Sequence, residues 1–343
     1  MTHCRPLLAC LAFSLSLASV AQGQGPQPTA PPTKPLELRE HTGAVMGTSL
    51  QIEALGPDGK ALDAAIAAAL VELKRVEDVF TTWRPSPLNR LNDAAGKGPH
   101  PMTKEELRLI GRSLEIGRLT EGAFDVTFAG VGKLWNFKAR PPKVPTAEEV
   151  KAALLRVDYR KVQIDLEGGT ATLPADMRIG LGGIAKGYGV DRAMAVLMKR
   201  GIRHAVVNAG GDLKALGKKR GKSWEIAIKH PRDRERVIAV LPVSNVCVVT
   251  SGDYERFYLH EGKRYHHILD PRTGYPSTGC MSATVTAPDA AFADALATAM
   301  CVLGPERDLK ILESLPRVEG ILIDLQGKIV VTSGLRRRGI GSE

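Results

Sequence analysis

The stretch "HAVVNAGGDLKALG", residues 204–217, sets two apolar runs around Asn208-Ala209-Gly210-Gly211-Asp212. Two short β-prone runs separated by a Gly-Gly turn read as a hairpin, and a hairpin joins antiparallel strands. "WEIAIKH" (224–230) alternates cleanly, with Trp224, Ile226 and Ile228 on one face. "VCVVTSG" (246–252) and "RFYLHEGKRYHHIL" (256–269), turning at Glu261-Gly262-Lys263, read as continuations of the same sheet. "GILIDLQGKIVVTSG" (320–334) is a further hairpin, and "TGAVMGTSLQIEAL" (42–55) reads as one strand.

Helices are interleaved without strict alternation. Leu62, Ile66, Ala69, Leu73, Val76 and Phe80 recur at three and four, the stripe of an amphipathic helix. Thr103 with Glu106 has the spacing of a capping box and opens a helix running to about Leu119; a short helix follows Thr146. No internal repeat is visible. The fold class expected is therefore α+β, a largely antiparallel sheet with packed helices, rather than a doubly wound one.

The chain has 343 residues, 43% of them apolar, enough for a sizeable core. His3 and Arg5 precede the apolar run "LLACLAFSLSLASVA", and Ser19-Val20-Ala21 offers small residues at a cleavage spacing. Residues 1–21 are read as a secretory signal peptide, too short for a membrane span. Leu7-Leu8-Ala9-Cys10 is a weaker lipoprotein box; lipid on Cys10 would tether the protein to the inner membrane. The Pro- and Gln-rich stretch 22–38 reads as a flexible tether, 39–336 as a single domain and 337–343 as a basic tail. The expected location is exported and periplasmic.

Removing residues 1–21 takes Arg5 and no acid, so 46 basic and 37 acidic residues leave a charge of +9. Lys214, Lys218, Lys219, Arg220 and Lys222 cluster, as do Arg336, Arg337 and Arg338. They read as solvated loops, or else as attraction for anionic lipid, an acidic partner or ligand. No aromatics interleave with them as a single-stranded nucleic-acid platform requires, so no nucleic acid is expected. Cys247, Cys280 and Cys301 remain outside the signal; three thiols allow at most one disulfide, and no C-x-x-C pair suggests zinc or redox chemistry.

Four stretches carry candidate chemistry. "IGLGGIAKGYGVDRA" (179–193) runs Gly-rich into a helix whose inner face is Val190, Ala193, Met194 and Leu197, a place where backbone N–H groups can approach phosphate. Such turns also serve only to pack tightly, and this one is neither a G-x-G-x-x-G fingerprint nor a P-loop. "YHHILDPRTGYP" (265–276) joins two histidines to turn chemistry; on a strand His266 and His267 point to opposite faces, so one alone can face a site. "ADALATAM" (293–300) lies in a helix, capped by Asp289, that is apolar all round except for Asp294 and Thr298. An unpartnered buried carboxylate costs on the order of several kcal/mol. Thr298 either bonds back to the carbonyl of residue 294 and Asp294 pairs with an arginine, or the two present adjacent oxygens of the kind Mg²⁺ takes. "EGAFDVTFAGVGKLWNF" (121–137) is a Gly/Phe/Asp cluster that also reads as a tight helix-to-loop turn.

Eight blocks occur in order: "VMGTSLQI" (45–52), "FTTWRPSPLNRLN" (80–92), "TEGAFDVTFAGVGKLWNF" (120–137), "GLGGIAKGYGVDRA" (180–193), "VVNAGGDLKALG" (206–217), "VVTSGDYERFY" (248–258), "YHHILDPRTGYP" (265–276) and "APDAAFADALATAM" (287–300). Together they resemble the ApbE family, the FAD:protein FMN transferases. The resemblance implies an α+β core related to the T-fold. It implies Mg²⁺-dependent transfer of the FMN half of FAD to a Thr or Ser hydroxyl of a target protein, with release of AMP; the targets are FMN-carrying subunits of membrane redox complexes. It places the metal on Asp294, Thr298 and the Ala185 carbonyl, and flavin contacts on Met46, Trp83, Ala123, Phe124, Asp125, Tyr188 and Ile268. His267 stands beside the phosphates, a candidate general base, with Lys186 nearby. Gly180 departs from the pattern, since relatives commonly carry Asp there. Two other readings accommodate the same residues: an FAD pyrophosphatase yielding FMN and AMP, and a non-enzymatic flavin carrier.

Overall fold

A computed structural model describes residues 35–341 except 138, 140 and 234. The segments read as signal peptide and as lipidation site lie outside the described residues. In chain order the first half holds β1 (Glu37–Val45), β2 (Thr48–Gly56), α1 (Gly59–Phe80), α2 (Pro87–Asp93), β3 (His100–Pro101), α3 (Lys104–Leu119), α4 (Ala129–Gly132), α5 (Ala147–Leu154), β4 (Gln163–Asp165) and β5 (Thr170–Thr172). Next come α6 (Ala185–Lys199), β6 (His204–Ala209), β7 (Asp212–Leu216), β8 (Trp224–Lys229), β9 (Val237–Val243) and β10 (Val246–Gly252). The last part holds β11 (Phe257–His260), β12 (Lys263–His266), β13 (Ser282–Ala287), α7 (Ala290–Leu303), α8 (Pro305–Ser314), β14 (Glu319–Ile323), β15 (Ile329–Val331) and α9 (Ser333–Arg337).

The 204–217 hairpin forms as read. Gly210 and Gly211 take φ of 62° and 97°, and Ala209 pairs with Asp212 across the turn. This hairpin supplies the third and fourth strands of an eight-stranded sheet, ordered β1-β2-β6-β7-β10-β13-β14-β15. Every neighbouring pair in it is antiparallel. Side chains alternate between its faces, as the pleat demands. On β6, Ala205, Val207 and Ala209 join the core under α1 and α6, while Val206 joins the opposite one with Trp224, Ile228, Leu241 and Leu335. α7 packs over β10 and β13 beside α6.

Three strand readings change. The 42–55 stretch is two strands, because Met46 (φ 50°) and Gly47 (φ 73°) form a two-residue hairpin turn. Loose alternation hid that break. β8–β9 and β11–β12 are separate two-stranded ribbons rather than parts of the main sheet. Hairpin periodicity specifies the local pairing and is silent on which sheet receives it. β1 starts at Glu37, inside the stretch read as tether.

The helix signals hold. α1 buries the expected stripe, α3 has both halves of its capping box at Thr103 and Glu106, and Asp289 caps α7 through the Phe292 N–H. Cys247, Cys280 and Cys301 are buried free thiols. Of the basic cluster, Lys214 pairs with Asp191 and Lys219 with Glu53.

Candidate functional site

The Gly-rich turn is fixed from both sides before it enters α6. The Asn92 side chain donates to the Ile179 carbonyl (2.9 Å) and accepts from the Ile179 N–H (2.8 Å), while the Gly180 N–H donates to Val126 O (2.8 Å). Ala185 is the first residue of α6, and Lys186, Gly187 and Tyr188 complete its first turn.

The first N–H groups of a helix have no partner within it. Here α7 supplies one: Asp294 Oδ2 accepts the Gly187 N–H at 3.1 Å. The other oxygen, Oδ1, faces the Lys186 ammonium at 3.3 Å, and the same ammonium donates to Asp212 Oδ2 at 2.8 Å. Both acids are only 1% exposed. Asp294 therefore pairs with a lysine and a backbone N–H, where the sequence suggested an arginine. Burial alone would lower the Lys186 pKa, but the charges of Asp212 and Asp294 outweigh it and hold the ammonium protonated beyond its ordinary range. Burial, then the Asp294 charge, push Asp212 well up, more than Lys186 offsets. Two carboxylates share one cation, so the pocket is short of positive charge.

Thr298 lies one turn after Asp294. Its hydroxyl makes no hydrogen bond among the described residues, so the back-bond to residue 294 does not form. It faces the Gly-rich turn: a β-carbon on Gly183 would stand 3.3 Å from Thr298 Oγ1 and 3.0 Å from Phe124 Cε2. An unpartnered hydroxyl, a carboxylate and the carbonyl of Ala185 are hard oxygen donors, and together they fit Mg²⁺. Among the described residues no three His, Cys, Asp or Glu side chains cluster as a metal site. That scarcity suits Mg²⁺ too, which keeps waters and phosphate oxygens as its remaining ligands.

His266 is buried, with Nε2 against the Ser277 carbonyl at 2.9 Å. His267 follows the end of β12; its backbone N–H donates to Arg256 O, and its ring Nδ1 is out of solvent without a partner among the described residues. Burial, aided by the charge of Arg256, pushes its pKa down to about 4. The imidazole is neutral near pH 7 and can accept a proton. The turn beyond it is self-contained: Arg272 grips both oxygens of Asp270 at 2.8 Å each.

Ala123, Phe124, Ala185 and Ile268 belong to one apolar cluster with Ala291, Ala293, Ala295, Ala297 and Ala299 of α7, and Met46 and Tyr188 pack against it. Tyr188 Oη donates to Glu105 at 2.6 Å and its ring meets Phe80 edge-on. Asp125 is engaged structurally: Oδ1 accepts from Thr127 N–H and Oδ2 from Tyr159 N–H. Trp83 is not in that cluster. It is 89% exposed, on an open cleft of about 460 Å³ that Arg84, Asn89 and Arg178 also line. Asp212 and Asn92 escaped the sequence reading. Asp212 ends the Gly-Gly turn, where turn chemistry already accounted for an acid, and Asn92 sits on a short helix with no periodic signal.

The Gly-rich turn thus opens α6 beside a lysine held between two buried acids. The ApbE family model matches residues 46–323, and the chain belongs to that family. It is 33% identical over 279 residues to the FAD:protein FMN transferase of Klebsiella pneumoniae (strain 342), spanning 79% of this chain and 80% of the relative. A Vibrio cholerae protein of the same name is 34% identical over 292 residues, 82% of this chain and 86% of the relative. The crystal structure of the ApbE protein from Thermotoga maritima superposes with a TM-score of 0.80 at 33% identity, covering 90% of this chain and 100% of that one.

Proposed function

We propose that this protein is an FAD:protein FMN transferase that uses Mg²⁺ to move the FMN half of FAD onto a Thr or Ser hydroxyl of an acceptor protein. The carrying observation is the Asp294 junction. One carboxylate caps the Gly-rich helix, faces a lysine and adjoins an unpartnered threonine, in a chain whose relatives bear that name.

Bound Mg²⁺ would supply charge neutralisation at the pyrophosphate. Asp294, Thr298 and the Ala185 carbonyl would hold it. The Gly-rich turn brings backbone close to the phosphates, and Lys186 contributes a positive charge beside them. The acceptor hydroxyl oxygen bonds to the phosphorus of the FMN half, the P–O bond to the AMP half breaks, and AMP carries away that electron pair. Neutral His267 takes the hydroxyl proton. Met46, Phe124, Tyr188 and Ile268 form an apolar wall for the flavin, and Trp83 offers an exposed ring for stacking.

The sequence of residues 1–21 supports export, and acceptors outside the inner membrane, in membrane redox complexes, are the partners this reading implies. Among the described residues no helix is long and apolar enough to cross a membrane. The test is incubation of the protein with FAD, Mg²⁺ and an acceptor domain bearing one threonine. A fluorescent, acid-stable acceptor band with AMP release is expected. AMP without a labelled acceptor would make the protein a pyrophosphatase, and unchanged FAD a carrier; either sinks the reading.

A further inference from the structure

The Lys186 ammonium stands where a cation belongs. Asp294 Oδ2 is held by the Gly187 N–H, so Oδ1 is the oxygen left for an ion, and Lys186 holds that oxygen. Two cations cannot share it at contact distance without strong repulsion. The ammonium is nearer to Asp212, 2.8 Å against 3.3 Å. A small rotation of the lysine chain therefore frees Asp294 without leaving an unpaired buried charge.

We propose that Lys186 is an internal counter-cation that occupies Asp294 in the metal-free protein and is transferred wholly to Asp212 when a divalent ion binds. Asp212 is then a positioning residue: it receives the displaced ammonium and never touches the ion. The inference rests on the reading that Asp294 is a metal ligand. It has an electrostatic consequence. With both carboxylates ionised, the two acids and one ammonium sum to −1, which repels a pyrophosphate; adding a divalent ion makes the sum +1, which attracts it. Metal must therefore precede or accompany the dinucleotide, and the lysine keeps the two acids from repelling each other until then.

The experiment is calorimetric titration of the flavin-free protein with Mn²⁺ alone, followed by thermal unfolding with and without Mn²⁺. Lys186→Met should bind Mn²⁺ roughly tenfold more tightly than the parent, because a competing cation is gone. Asp212→Asn should bind roughly tenfold more weakly, because the ammonium has lost its second seat. In the double variant the Asp212 effect should vanish. If Lys186→Met unfolds without metal, its Mn²⁺-induced rise in Tm should exceed that of the parent, and Lys186→Gln gives the same comparison. Unchanged or weaker binding in the lysine variants, or an Asp212 effect that persists in the double variant, overturns the proposal. Failure of the metal reading looks different: Asp294→Asn would then bind Mn²⁺ as well as the parent.

Discussion

Gly187 and Ala290 meet backbone to backbone: a β-carbon on Gly187 would lie 2.2 Å from the Ala290 carbonyl oxygen. That contact lets Asp294 reach the Gly187 N–H from a different helix. Neither backbone can yield, so Gly187→Ala should separate α6 from α7, destabilise the protein by about 2–3 kcal/mol and abolish FMN transfer. Gly182→Ala is the control, since a β-carbon there meets nothing within 4 Å. Thermal unfolding of both variants checks the pair; equal loss of stability would refute the contact's importance.

Asp294→Asn keeps an oxygen that can accept the Gly187 N–H while removing the charge. The variant should fold, with Tm within a few degrees of the parent, and lose transfer by at least about 10³-fold. Circular dichroism and AMP release measured on one preparation decide it. Retained activity would remove Asp294 from the site.

His267→Ala should keep FAD binding and reduce turnover about 10²–10⁴-fold, the range for losing a positioned base. Because burial pushes the His267 pKa down to about 4, its neutral form prevails through physiological pH. The acid limb of kcat/KM should therefore fall near pH 4 rather than near the ~6.5 of a free imidazole. A pH profile of the parent shows where that limb lies.

Gly180→Asp tests the departure from the family pattern. Its backbone is ordinary, and a β-carbon would stand 3.2 Å from the Ala129 β-carbon, a contact relieved by a few tenths of an ångström. The variant should fold and bind FAD more tightly, up to about tenfold if the carboxylate gains one charged hydrogen bond. Flavin fluorescence titration measures the gain; a weaker complex would show that the carboxylate has no partner on FAD.

Asp308 is fully buried at the start of α8, and neither of its oxygens has a partner among the described residues. Burial raises its pKa to about 9, above the ~3.9 of an unfolded aspartate. The folded state therefore holds the extra proton between those values, and stability declines as pH climbs from about 4 toward 9. Asp308→Asn should flatten that decline and raise stability at pH 8 by about 1–3 kcal/mol. Denaturant melts at pH 5 and pH 8 give the comparison.

Much of this was legible residue by residue. The Gly-Gly turn at 210–211 announced antiparallel pairing, and the Leu62–Phe80 stripe and Thr103/Glu106 box located helices whose signals are local. Asp294 and Thr298 stood out because a helix buried on all sides has no use for them. What stayed hidden depends on long-range contacts. Nothing near Asp212 in sequence marks it as the second partner of Lys186, and nothing near Asn92 marks it as the clamp on Ile179. The Met46-Gly47 turn was missed because methionine at φ 50° is a rare occupant of a hairpin turn.

The cation pocket is also a checkpoint on chain completion. Lys186 meets carboxylates 26 and 108 positions further along the chain. A chain that ends before α7 has the Gly-rich turn and the lysine but lacks the oxygen that organises them. Premature or clipped products therefore lack the Asp294 arm of the pocket, however well their amino-terminal part folds.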